Sequence, residues 1–159
     1  MNDTAELGQQ SFVLMRLGDR QFALPAERVA ELVPAGRVFR FPHRTPELEG
    51  VLVHRGRVTP VCNVSQILVG QRLADRRLYL LVLREYGNTM ESVALPASGE
   101  CELITAEMNP SSGEHVPHAK GWISHGGSVI EVLGLDFLIP GPDAGPRAAQ
   151  ELMQQEAVL

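Results

Sequence analysis

A mainly β fold built of small barrels is what the sequence predicts, on three observations. Eight or so runs of five to nine residues, dominated by Val, Leu and Ile, recur along the chain. Gly-, Pro- and Asp-containing turn signals separate them at short intervals. Stretches with helical period are few and short, so helices cannot form a layer of their own.

The elements follow in order. SFVLMRL, 11–17, and RQFALP, 20–25, are strands joined by a Gly18-Asp19 turn into a hairpin. AERVAELV, 26–33, lies between Pro25 and Pro34, and Ala26, Val29, Ala30 and Val33 recur at helical spacing, which predicts a helix of about two turns. RVFRFPHRTP, 37–46, reads as an extended loop because Pro42 and Pro46 block regular pairing. ELEGVLVHR and RVTPVCNV form a second hairpin, with Gly50 marking a bend or bulge in its first strand. VSQILV, 64–69, is a helical turn, and GQRLADR, 70–76, a polar connection.

RLYLLVL (77–83), MESVALP (90–96) and GECELITAEM (99–108) are three further strands, followed by a loop over 108–118. AKGWI, 119–123, and SVIEVLGL, 128–135, close a last hairpin across His125-Gly126-Gly127, and LDFLI, 135–139, is another helical turn. PGPDAGP, 140–146, breaks regular structure, and RAAQELMQQEAVL predicts a terminal helix. Three segments result: a flexible tail over 1–10, one folded unit over 11–139, and a linker with the helix over 140–159.

Composition narrows the function classes. The net charge of −5 argues against general nucleic-acid binding. Its distribution is uneven: residues 1–84 hold 12 arginines against 8 acids, whereas 85–159 hold 2 basic residues against 11 acids. Such a split fits a protein with two faces, or a plain bias toward arginine, which supplies 13 of the 14 basic residues. The N-terminus lacks the basic start and apolar core of a signal peptide, and no apolar run approaches membrane-spanning length, so a cytoplasmic protein without membrane insertion is expected. Two cysteines are too few for a disulfide framework, and reduced thiols are expected.

Motifs for chemistry are weak. Neither GxxxxGK[ST], GxGxxG nor GxSxG occurs, and Cys62 reads as a small buried hydrophobe. His115 and His118 with Cys101, or His43 and His54 with Cys62, lack the paired spacing that fixes metal ligands in advance. Glu47 and Glu49, like Glu100 and Glu102, share a strand face and read as solvated surface rather than a catalytic pair. No enzyme activity, metal or cofactor is expected. A nucleic-acid-binding barrel remains as an alternative on the Arg-rich segment 37–57, where Phe39 and Phe41 interleave with five arginines.

The stretch GVLVHRGRVTPVCNV, 50–64, carries the sharpest signal. Asn-Gly or Asp-Gly would suit a tip that only closes a hairpin, because both tolerate positive φ. Arg55-Gly56 meets that need through Gly56, which leaves Arg55 for another task. FVLMRLGDRQFALPAERVAELV, a proline-bearing loop and this hairpin together resemble the CheW-like domain of bacterial chemotaxis coupling proteins. The hairpin supplies Gly50, Val51, Arg55, Gly56, Pro60, Val61 and Val64 in that family's register, and GWISHGGSVIEVLGLDFLI is similar to its closing segment. Departures are Val53-His54 before Arg-Gly, Asn63 in place of the Asp that follows Pro-Val-x in the family, and LPASGECELI in the middle strands, the marks of a divergent member.

The resemblance implies two SH3-like five-stranded β-barrels packed together, without catalysis. It implies an adaptor that couples the regulatory domain of a CheA-type histidine kinase to the cytoplasmic tip of a chemoreceptor, reaching membrane-bound arrays only through those partners. Arg55, at a tip held by Gly56, corresponds to the family's coupling arginine, and its planar fork can pair a carboxylate bidentately. Val29 and Glu31 on the short helix, Leu52 and Val53 lining a groove between barrels, and Phe41 with Pro42 bordering it are the further candidates. Core packing is the alternative for Val29, Leu52 and Val53, a solvated helix face for Glu31, and a plain solvated turn for Arg55. A CheW-like decoy that inhibits without bridging is the second alternative.

Overall fold

The computed structural model describes residues 8–40, 48–73, 75–86, 88–110 and 119–135. The anticipated structure of Phe41, Pro42 and His43, of most of the N-terminal tail, of His115 and His118, and of the C-terminal linker and helix lies outside them. Twelve strands are described: β1 Gln9–Leu17, β2 Arg20–Pro25, β3 Val29–Pro34, β4 Phe39–Arg40, β5 Leu48–His54, β6 Arg57–Cys62, β7 Leu78–Tyr86, β8 Thr89–Ala97, β9 Glu102–Glu107, β10 Asn109–Pro110, β11 Ala119–His125 and β12 Ser128–Leu133. The helix α1, Val64–Val69, ends at Gly70, whose left-handed φ of 74° stops it.

The strands form two six-stranded sheets, ordered β10-β11-β12-β2-β1-β9 and β3-β7-β8-β6-β5-β4. Each has five longer strands and one two-residue strand at its edge; β9 approaches β11 in the first, and Glu31 of β3 meets His54 of β5 in the second. The two are repeats of one plan. Ala23-Leu24-Pro25-Ala26 recurs as Ala94-Leu95-Pro96-Ala97, and the same 71-residue spacing relates Glu31 to Glu102, Gly50 to Gly121 and His54 to His125. β6 lies parallel to β8 as β12 lies parallel to β2. The third strand of each half is exchanged: β3 leaves the β1–β2 hairpin to pair with β7, and β9 leaves β7–β8 to pair with β1.

Three apolar clusters follow from this exchange. Phe12, Leu14, Ala23, Ile104, Ile123 and Val132 fill the first barrel. Leu52, Val61, Tyr79, Leu81 and Ala94 fill the second. Between the barrels, Met15, Leu17, Phe22 and Leu24 of one meet Leu80, Val82, Val93 and Leu95 of the other, with α1 adding Val64 and Leu68. The central strands are thus buried on both faces, which is why they read as continuous apolar runs rather than alternating ones.

The helix expected over 26–33 is not formed. Ala26–Arg28 makes one 3-10 turn, tied to β7 by Arg28 Nε donating to the Leu83 carbonyl at 2.7 Å, and 29–34 is strand β3. Two helical turns in isolation are marginal, whereas β3 gains ladder bonds to β7 and turns Val29, Glu31 and Val33 to its more buried side. Gly50 does sit at a bulge, and Gly121 at the equivalent one. A Cβ would collide with the Phe39 carbonyl oxygen at Gly50 and with that of Asn109 at Gly121. Gly50→Ala and Gly121→Ala are each expected to lower the unfolding free energy by about 1–3 kcal/mol, read from urea midpoints, because the obstacle is backbone.

Candidate functional site

In the β5–β6 hairpin, Val53 pairs with Val58 and His54 with Arg57, leaving Arg55-Gly56 as a two-residue turn. Both residues have positive φ, 52° at Arg55 and 75° at Gly56, the combination that matches strand twist in type I′ hairpins. Gly56 alone does not carry the conformational demand: Arg55 is the one non-glycine with positive φ among the described residues. For a side-chain-bearing residue this costs about 1–2 kcal/mol.

Glu31 stands beside the tip. A bulge between Val29 and Glu31 sets its register against Leu81 on β7. Its Oε1 lies 3.0 Å from Arg55 Nη2, and its Oε2 lies 3.2 Å from His54 Nε2, which is buried and makes no hydrogen bond. The Arg55 side chain is 75% exposed, and a pair so solvated contributes under about 1 kcal/mol. The ion pair therefore does not offset the backbone cost of placing an arginine there.

Beside the pair opens a cavity of about 510 Å³, lined among others by Arg57, Thr59, Met90 and Glu91. Arg84 of β7 holds Glu91, with Nη2 2.9 Å and Nε 3.1 Å from Oε2. Leu32, Val53, Val58 and Met90 are exposed aliphatic side chains of this same barrel. Opposed charges beside exposed aliphatic surface suit an amphipathic segment bearing its own charges.

Arg55, Gly56 and Glu31 are thus brought together by the fold. Val29 is half-buried against the inter-barrel core, on a strand and not on the expected helix. Leu52 packs inside the second barrel instead of lining a groove, because β5 alternates and Leu52 and Val53 face opposite ways. Val53 is the outward residue of that pair. Phe41 and Pro42 lie outside the described residues. Sequence reading did not single out Val58, which hairpin register places opposite Val53, or Met90, read as part of a strand but brought beside the tip only by the fold.

Glu49, expected on a solvated face, is buried, with Arg72 Nη2 and Arg76 Nη2 each 2.7 Å from one of its oxygens. Burial raises its pKa, but hydrogen bonds and charge from Arg76, then Arg72, outweigh that and hold the carboxyl below its ordinary value. Cys62 is buried, and burial pushes the Cys101 thiol up, away from thiolate reactivity. Among the described residues no group of three or more His, Cys, Asp or Glu side chains gathers to hold a metal, and no helix is long and apolar enough to cross a membrane. Phe39 is half exposed, with the Arg37 guanidinium 4.8 Å over its ring.

Strand order, the exchanged strands and the charged hairpin tip define a double-barrel β protein. The CheW-like domain family model matches residues 11–140, and the chain belongs to that family. Protein FrzA of Myxococcus xanthus is 35% identical over 60 residues, a match spanning 38% of this chain and 38% of FrzA. The scaffolding protein TtCheW of Thermoanaerobacter tengcongensis shares the fold, with a TM-score of 0.70 at 16% identity, over 84% of this chain and 89% of that one.

Proposed function

We propose that this chain is a non-enzymatic adaptor of a bacterial chemosensory pathway, coupling the regulatory domain of a CheA-type histidine kinase to the cytoplasmic tip of a chemoreceptor-like protein. It would act in the cytoplasm and join receptor arrays only through these partners. The observation that carries the reading is Arg55 in a left-handed conformation beside Glu31, a cost the hairpin's own contacts do not offset. Family membership supports the adaptor class. Arg55 supplies a bidentate fork that can exchange Glu31 for a carboxylate of the partner, Gly56 holds the tip, and Val53 supplies apolar contact. Val29 and Leu52 act behind them by fixing β3 and β5.

Titration calorimetry against the regulatory domain of the same organism's CheA-type kinase and against a receptor-tip fragment tests this. Micromolar or tighter binding to the kinase, and a ternary complex with the receptor fragment, are expected. Absence of binding to every such kinase domain in the organism would overturn the coupling role; binding without a ternary complex would leave the decoy. Steep weakening with salt together with binding of oligonucleotides would favour the nucleic-acid alternative.

Arg55→Asn is the informative variant. Asn-Gly is a preferred type I′ pair, so unfolding free energy should stay within about 1 kcal/mol of the parent. Affinity for one of the two partners should fall about tenfold or more, because hydrogen bonds between charged groups contribute about 1.5–3 kcal/mol. Which partner loses affinity identifies the side Arg55 serves.

A further inference from the structure

A cluster of arginines lies away from the hairpin tip. A second cavity, about 480 Å³, is lined by Arg40, Arg72, Arg76, Glu49 and Gly36, so three guanidinium groups face one carboxylate. The cavity beside Arg55 differs, because Glu31 and Glu91 there stand against Arg55 and Arg57.

The three arginines are not equivalent. Arg76 is fully engaged: Nε donates to the Leu73 carbonyl at 3.1 Å, Nη1 to the Tyr79 hydroxyl at 3.4 Å, and Nη2 to Glu49 at 2.7 Å. Its side chain is only 13% exposed, and it satisfies one oxygen of the buried carboxylate as a structural partner would. Arg72 gives Glu49 only Nη2, at 2.7 Å, and its side chain stays 46% exposed. One short bond to a fixed carboxylate orients the guanidinium, while Nε and Nη1 find no partner among the described residues. Arg40 is exposed, and no carboxylate among the described residues pairs with it. An oriented fork, a second guanidinium that no described carboxylate pairs, and one carboxylate with a guanidinium on each oxygen form an arrangement that attracts a compact anion.

We propose that this cavity is an oxyanion site of the phosphate class, in which Arg72 and Arg40 contact the anion and Glu49 positions Arg72. The anion is either free phosphate or the phosphate of a monoester, the geometry and charge being common to both. The site is separate from the Arg55 tip and does not depend on the adaptor reading.

The test is titration calorimetry of the full chain with inorganic phosphate and, separately, with phenyl phosphate, at constant pH and constant ionic strength set with chloride. Saturable one-to-one phosphate binding is expected, weakened about tenfold in Arg72→Gln and in Arg40→Gln, since each removes charged donors; Glu49 keeps Arg76 as its partner in the first, and the second leaves the Glu49 pairs intact. Arg72→Lys should also weaken it, because an ammonium keeps the charge but loses the fork. Equal binding of phenyl phosphate assigns the site to monoesters; binding of inorganic phosphate alone assigns it to the free ion. No saturable heat with either probe, or the same affinity in parent, Arg72→Gln and Arg40→Gln, overturns the proposal.

Discussion

Phe22→Ala will lower the unfolding free energy by about 3–5 kcal/mol, the range for emptying a fully buried aromatic position. Phe22 has no exposed surface and lies in the cluster between the barrels, with Met15, Leu17 and Leu24 on its own side and Leu80, Val82 and Leu95 on the other. The cavity would open where two sheets meet and β3 and β9 exchange, so local collapse is opposed from both sides. The loss should appear in urea unfolding as one transition, with the same midpoint by circular dichroism and by the fluorescence of Trp122, the chain's one tryptophan, on β11 of the first barrel. Separation of the two signals in the parent protein would show that the barrels unfold independently. A loss under about 1 kcal/mol would show that the shared cluster does not hold them together.

Glu49→Ala carries the second large effect, about 2–4 kcal/mol. Removing one member of a buried ion pair leaves charge without compensation, and the half exposure of Arg72 moderates the cost. The same group gives a pH dependence of known sign. Its folded pKa is lowered from 4.5, so the unfolded chain takes up a proton before the folded one does. The stabilisation is complete above the unfolded value, and it is lost as pH falls from 4.5 through the lower folded value. Urea midpoints at about pH 7 and about pH 3.5 should therefore differ less in Glu49→Gln than in the parent. An unchanged difference would place the acid sensitivity elsewhere.

Local chemistry made much of the fold readable. Gly18-Asp19, Arg55-Gly56 and Gly126-Gly127 mark three hairpins because positive φ is a single-residue property, and Gly50 marks its bulge for a similarly local reason. The repeated Ala-Leu-Pro-Ala at 23 and 94 is a local trace of the duplication. The sequence of β3 suits a helix as well as a strand, because over so short a span its apolar residues satisfy both periods. What decided between them was the open edge of β7, dozens of residues downstream.

The site divides in the same way. Arg55 and Gly56 stood out in the sequence because an arginine is an unexpected occupant of a type I′ turn, and that oddity needs no partner to be seen. Glu31 beside it, Met90 across the cavity, and the burial of Glu49 between Arg72 and Arg76 depend on which strands are exchanged between barrels and where each register stops. Turn chemistry and apolar patterning act within a few residues and are written in the chain. Which charges meet is settled by long-range strand pairing, where the competing registers differ only in packing that no local stretch contains.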